Sequence, residues 1–208
     1  MFSRSMSISK TARVKRGRAP EKPIKRRNYR TALPELIRDF GGRCAYSMQH
    51  QSHSGPLEVD HFDPRRKKNL IQDYDNLFPA SRHCNGKKSD MWPNKLELAA
   101  GCRFLNPCAE MDYGEQIFED SRTHELVGVT VAARWHIRVC GLNAEHLVRE
   151  RCRRTRYWET IKCYAVRIKG DYLQVSEVIR NYREAIGLMI PEIPSPPSAH
   201  SNSILAVL

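Results

Sequence analysis

The sequence has no long apolar run, and this absence excludes the common membrane architectures. No segment approaches the roughly 20 apolar residues that a membrane-spanning helix needs, and no apolar secretion-signal core of about 7–15 residues appears. The seven cysteines are an odd number, and their spacing gives no disulfide framework. We therefore expect a cytoplasmic protein without a membrane partner. The cysteines expected to serve only as small hydrophobic residues are Cys102, Cys108, Cys140, Cys152 and Cys163.

Acidic residues are almost missing from the first thirty positions, where eleven Lys or Arg accompany one acid, Glu21. This segment carries +10 of the chain's net charge of +12. Its Ser, Gly and Pro content cannot form a core, so we expect a disordered basic tail over residues 1–30. Affinity for nucleic-acid phosphates is one function for such a tail. A mitochondrial-type transit peptide, a docking segment and a solvated tail without a role are alternatives.

The remaining chain predicts an α+β fold with flanking helices and a helical C-terminal part. We place one compact domain at residues 31–110, a hairpin and helices at residues 111–189, and a Pro- and Ser-rich disordered tail at residues 190–208. The elements predicted outside the central motif are a helix capped by Thr31, a hairpin at residues 116–129, and helices at residues 131–139, 144–168 (capped by Asn143) and 174–186. One face of the helix predicted at residues 144–168 carries Arg149, Arg153 and Arg156. This face is either solvated or contacts nucleic acid.

The most informative pattern lies at residues 57–64 and is completed at residues 75–88. Leu57 and Val59 alternate with polar neighbours, which is the period of a half-buried strand. A returning apolar pair starts at Leu77, and Ser81 is a suitable cap for a short helix through residue 89. The pattern therefore predicts a strand, a loop, a second strand and a helix.

This arrangement could bring Asp60, His61 and Asn85 together. The Asp60 carboxylate and the Asn85 amide oxygen are hard ligands that suit Mg²⁺. Histidine titrates near neutrality, so His61 could take a proton from an attacking water. Asn76 is placed to tie down the loop that follows His61. Taken singly, each residue has an ordinary structural explanation as a strand end, a turn residue or an exposed helix residue.

Three separated blocks carry a resemblance to a known family: Val59-Asp60-His61-Phe62, Asp75-Asn76-Leu77 and Cys84-Asn85-Gly86-Lys87-Lys88. Together they resemble the HNH nuclease motif, the ββα-metal finger. The resemblance implies that His61 is the general base, that Asp60 and Asn85 hold Mg²⁺ or Mn²⁺, and that Asn76 orients the base. The implied activity is hydrolysis of phosphodiester bonds in nucleic acid, with DNA as the expected substrate. The residues expected to contact the nucleic acid are Arg65, Arg66, Lys67, Lys87 and Lys88.

The sequence departs from many relatives at their zinc-binding Cys-x-x-Cys pairs. The first pair reads Cys44-Ala-Tyr-Ser47 and the second reads Ser81-Arg-His-Cys84. Because a serine hydroxyl is a poor zinc ligand, we expect two buried thiols rather than a structural Zn²⁺ site. The alternative is that Cys44 and Cys84 recruit a histidine, and the candidates are His50, His53 and His83.

A second, looser resemblance concerns the biological setting. Arg43-Cys-Ala-Tyr46 ahead of the motif and Gly141-Leu-Asn143 behind it are similar to segments of the HNH subunits of Septu-type (PtuB-like) bacterial anti-phage systems. This resemblance implies a defence nuclease beside an ATPase partner subunit. A competing class is a catalytically inactive nucleic-acid-binding or scaffold subunit of a larger complex.

Overall fold

The computed structural model describes residues 12–20, 29–66 and 73–167. In chain order, its regular elements are α1 (Leu33–Asp39), α2 (Gln51–Ser54), β1 (Glu58–His61), β2 (Leu77–Ala80), α3 (Arg82–Lys88), α4 (Lys95–Ala99), β3 (Ile117–Glu119), β4 (Leu126–Gly128), α5 (Val131–Val139) and α6 (Glu145–Arg167). Single 3₁₀ turns are formed by Tyr29–Ala32, Pro64–Arg66 and Tyr74–Asn76. The α+β fold class predicted from the sequence is confirmed. None of the helices in the described ranges is long and apolar enough to cross a membrane.

A two-stranded antiparallel hairpin and the helix that follows it form the centre of the fold. β1 and β2 pair so that Asp60 lies opposite Phe78 and His61 lies opposite Leu77. The Ser81 hydroxyl accepts a hydrogen bond from the Cys84 amide, so the predicted cap of α3 is confirmed. One residue separates the end of β2 from the start of α3. This short connection turns the chain so that the helix lies over the hairpin.

The hairpin is covered on both faces, unlike the half-buried strand expected from its alternation. Phe78 on one face belongs to the main core, whereas Val59 and Leu77 on the other face pack against Leu36 of α1. Only Glu58, the first residue of β1, is exposed. The polar residues at the end of β1 are therefore held inside the protein, where they need partners.

The elements after the motif follow the predicted pattern closely, and one helix cap predicted before the motif is wrong. β3 and β4 form the predicted hairpin, α5 has the predicted bounds, and α6 begins one residue after its predicted start and continues to the end of the described residues. Thr31 does not cap α1, because a 3₁₀ turn precedes the helix and its N-cap position is Ala32. The Asn143 side chain pairs with the backbone of Leu126 in β4, at 2.7 and 3.0 Å. The helix predicted at residues 174–186 and the tail at residues 190–208 lie outside the described residues.

Residues 12–20 contact the body of the protein, which departs from the disorder expected throughout residues 1–30. The Arg13 guanidinium donates to the Asp112 carboxylate at 2.7 Å and to the Ala45 carbonyl at 2.7 Å. Val14 is buried, and its amide donates to the Pro107 carbonyl. Arg16 lies over the Phe78 ring at 4.8 Å. The pairing of Arg13 with a buried carboxylate explains why a strongly basic stretch can dock on a folded domain.

We predict that Arg13→Ala lowers the free energy of unfolding by about 3–5 kcal/mol, because it leaves the buried Asp112 carboxylate without its cation. Lys15 lies two residues away and is exposed, so Lys15→Ala should change stability by less than about 0.5 kcal/mol. Urea denaturation of the two variants measures the difference. Equal stability of both variants would mean that the segment does not dock in solution.

Candidate functional site

Asp60, in the third position of β1, is buried and bonded to two side chains. The Tyr46 hydroxyl donates to Asp60 Oδ2, and Lys88 Nζ lies 2.9 Å from the same oxygen. Burial, followed by the nearby Asp60 charge, raises the pKa of Tyr46 well above its ordinary value, so its hydroxyl stays protonated. Both partners act on Oδ2, which leaves Oδ1 as the atom of Asp60 that can meet a ligand.

Lys88, the last residue of α3, is a core residue, which corrects its predicted place on a nucleic-acid-binding surface. Its side chain is 0% exposed. Besides Asp60, its ammonium donates to the His61 carbonyl at 2.8 Å and lies 5.4 Å from the centre of the Phe104 ring. A buried ammonium is tolerated when a carboxylate, a carbonyl and aromatic faces surround it in this way.

The His61 ring lies on the opposite face of β1 from the Asp60 carboxylate, because side chains alternate along a strand. It contacts the Tyr29 ring edge-on, with 4.7 Å between ring centres. His61 is 4% exposed. Among the described residues this sheet has two strands, so one edge of β1 pairs with no further strand.

Asn76 clamps the backbone immediately after His61. Its side-chain oxygen accepts from the Asp63 amide at 2.9 Å, and its side-chain nitrogen donates to the Asp63 carbonyl at 3.1 Å. Its own carbonyl accepts from the Phe62 amide. These bonds fix the chain where it leaves β1, which is the arrangement predicted from the sequence for Asn76.

Asn85, in the middle of α3, is half-buried and faces the beginning of β1. Its side-chain nitrogen donates to Glu58 Oε2 at 2.6 Å. Glu58 and Asp60 are two residues apart in β1 and so share the face that α3 covers. The structure thus brings Asn85 to the same strand as Asp60, and it adds Glu58 to the group.

The two described basic residues of the loop after β1, Arg65 and Arg66, are exposed and already paired with acids. Arg65 forms two bonds to the Asp63 carboxylate, at 3.0 and 2.8 Å, and lies over the Trp92 ring at 4.3 Å. Burial alone would raise the pKa of Asp63, but hydrogen bonds from Arg65 outweigh it and the pKa is lowered. Arg66 contacts Asp73 at 3.2 Å.

The other predicted nucleic-acid contacts differ in their exposure. Lys87 is exposed on α3. Lys67 lies outside the described residues. Of the predicted contacts within the described residues, Arg65, Arg66 and Lys87 are exposed, and the first two have to exchange an internal carboxylate for a phosphate when they bind nucleic acid.

The two incomplete Cys-x-x-Cys pairs meet and form a buried hydrogen-bonded cluster. The Cys44 sulfur accepts from the Ser47 amide at 3.5 Å, and the Cys84 amide donates to the Ser81 hydroxyl. Burial would raise the pKa of Cys44, but hydrogen bonds from Cys84, Ser47 and Ser81 outweigh it and lower the pKa to about 5. The hydrogen bond between Cys84 and Cys44, followed by burial, raises the pKa of Cys84. Ser47 and Ser81, the serines of the two incomplete pairs, thus take part in the hydrogen bonding of this buried cluster.

The three histidines considered as alternative zinc ligands make other contacts. His50 accepts from the Ser52 amide and caps α2. His53 lies 2.6 Å from an Arg153 nitrogen, and His83 lies 3.0 Å from the Gly141 carbonyl. Within the described ranges, no group of three or more His, Cys, Asp or Glu side chains is arranged to hold a metal ion.

Sequence reasoning missed the roles of Glu58, Tyr46 and Tyr29. A signal for Glu58 was present, because a residue two positions before Asp60 shares its face in a strand. Tyr46 and Tyr29 lie 14 and 32 positions from the residues they contact, so no local pattern links them to the site.

Comparison with protein families identifies the segment that carries this geometry. Residues 42–91 match the family model described as HNH endonuclease. The matched segment is about a quarter of the chain and contains β1, β2, α3 and the residues Asp60, His61, Asn76 and Asn85. No curated protein and no solved structure matches the chain. The match supports assignment of this segment to the HNH family, and that family indicates nuclease activity on nucleic acid.

We predict that Lys88→Met lowers the free energy of unfolding by about 3–5 kcal/mol, because it leaves the Asp60 carboxylate buried without its cation. Lys87→Met is the matched control: its side chain is exposed, so its effect should stay within about 0.5 kcal/mol. Chemical denaturation measures both. A Lys88→Met protein as stable as the Lys87→Met protein would contradict the buried pair.

Proposed function

We propose that the chain is a metal-dependent HNH endonuclease that hydrolyses phosphodiester bonds of nucleic acid, with DNA as its substrate. The observation that supports the proposal is that Asp60, His61 and Asn85 lie on one hairpin–helix unit inside the matched segment, with Asn85 bonded to the strand that carries the other two. The expected reaction takes place at the outer edge of β1, next to the strand that carries both Asp60 and His61.

The oxygen donors of the site fit a hard divalent cation. Asp60 retains Oδ1, since its two bonds fall on Oδ2, and the half-buried Asn85 offers an amide oxygen. These residues would hold Mg²⁺ or Mn²⁺, ions that keep several waters and accept phosphate oxygens. When bound, such an ion stabilises negative charge on the phosphate and on the leaving oxygen.

His61 is the proposed general base. In its neutral form the ring takes a proton from the water that attacks phosphorus. Asn76 acts through the backbone, since its two bonds to Asp63 hold the loop that positions His61. Arg65, Arg66 and Lys87 supply exposed positive charge for the phosphates on either side.

The setting of the activity is also part of the proposal. The resemblance to Septu-type subunits suggests a cytoplasmic nuclease of an anti-phage system, with an ATPase partner that supplies sensing. A binding subunit without catalysis is the second candidate, and the contact of His61 with Tyr29 favours it in one respect, because the base is covered.

We predict that His61→Ala reduces nicking of a supercoiled plasmid by about 10²–10⁴-fold, the usual contribution of a general base. Affinity for the plasmid should remain, since the exposed arginines are untouched. Gel electrophoresis in Mg²⁺ or Mn²⁺, with a chelator as control, measures the rate.

Two results would reject this assignment. A His61→Ala protein that nicks at the parent rate would remove His61 from the reaction. A parent protein that binds DNA but leaves it intact in both metals would favour the binding-subunit alternative.

A further prediction follows from the position of Tyr29. Because its ring covers His61, the base has to be uncovered before it meets a phosphate, and Tyr29→Ala should raise the nicking rate. Tyr29→Phe keeps the ring and should behave like the parent protein. A rate that falls in Tyr29→Ala and is restored in Tyr29→Phe would instead show that the ring positions His61 for catalysis.

A further inference from the structure

We propose that Glu58 is a further oxygen ligand of the divalent cation in this site, a role that the motif resemblance does not assign to it. The inference rests on the proposed function for the presence of the cation. Its structural basis is the position of Glu58 on the Asp60 face of β1, with its carboxylate 2.6 Å from the Asn85 side chain.

The charge of Asp60 is already balanced inside the protein. Asp60 is paired with the fully buried Lys88 at 2.9 Å, so the positive charge of the ammonium offsets the negative charge of the carboxylate. Asn85 is neutral. A divalent cation held by Asp60 and Asn85 alone would gain little electrostatic attraction, because Lys88 repels it over nearly the same distance.

Glu58 supplies the negative charge that this set lacks. It is the one acid besides Asp60 in the sequences of β1 and α3. No basic side chain accompanies it among its described contacts, since its carboxylate accepts a bond from the neutral Asn85 amide. A carboxylate with an available charge is the ligand type that Mg²⁺ and Mn²⁺ prefer.

Glu58 and Asn85 are also accessible to a hydrated ion. Glu58 is exposed and Asn85 is half-buried, so a cation between them can keep the water molecules that Mg²⁺ retains in proteins. A half-turn of the Asn85 amide exchanges its nitrogen for its oxygen. Since the two side chains already lie within hydrogen-bond distance, both can reach one ion without movement of the backbone.

The test is direct measurement of metal affinity in the full-length protein without nucleic acid. Mn²⁺ binding is followed by isothermal titration calorimetry or by the electron paramagnetic resonance signal of free Mn²⁺. Glu58→Gln keeps the size of the side chain and removes its charge, and we expect the dissociation constant for Mn²⁺ to rise by about 10–100-fold. Glu125→Gln removes another exposed acid, outside β1 and α3, and should leave that constant unchanged.

The outcomes separate this inference from the proposed function. Unchanged Mn²⁺ affinity in Glu58→Gln, in a parent protein that cleaves nucleic acid, would overturn the role of Glu58 alone. Equal weakening by Glu58→Gln and Glu125→Gln would also overturn it, because the effect would then be one of general charge. Weakened binding in Glu58→Gln alone, in a parent that cleaves no nucleic acid, would support the ligand and reject the nuclease. Absence of Mn²⁺ binding by the parent protein would overturn both.

Discussion

The buried pair of Lys88 and Asp60 holds the hairpin–helix unit together. Lys88 ends α3, Asp60 lies in β1, and Tyr46, from the preceding loop, completes the bonding of the carboxylate. A charge without its partner in this position would cost several kcal/mol, so the end of α3 cannot separate from β1. The positions of Asn85 on α3 and of Glu58 on β1 depend on this constraint.

The same pair determines which groups are left for chemistry. Asp60 has only Oδ1 for a ligand, and its charge is offset by Lys88, so the exposed Glu58 becomes important for the electrostatics of the site. The Cys44 sulfur supports the loop that carries Tyr46, since it accepts from the Ser47 amide, and the Cys84 amide donates to the Ser81 hydroxyl in the same cluster. Hydrogen bonding thus connects the loop of Tyr46 to the cluster of Cys44 and Cys84.

Net charge proved to be a poor guide to the charge available for nucleic acid. Arg13 of the basic N-terminal segment is paired with the buried Asp112, and Arg16 lies among aromatic rings. Lys88 is enclosed in the core, and Arg65 is bonded to Asp63. Formal charge counts residues, whereas binding depends on which of them reach solvent without an internal partner.

The sequence by itself determined the elements whose signals are local. The alternation in β1, the helical periodicity of α5 and α6, the Ser81 cap and the three motif blocks all act over a few residues, and each predicted its element or segment. Only the tertiary structure decided two long-range pairings. Arg13 pairs with Asp112, 99 positions away. Lys88 pairs with His61 and Asp60 at the end of β1, 27 and 28 positions away. It also decided that Asn143 bonds β4 and that Asn85 meets Glu58. Such partners follow from the packing of whole elements and from the need to satisfy buried polar groups, neither of which leaves a periodic trace in the chain.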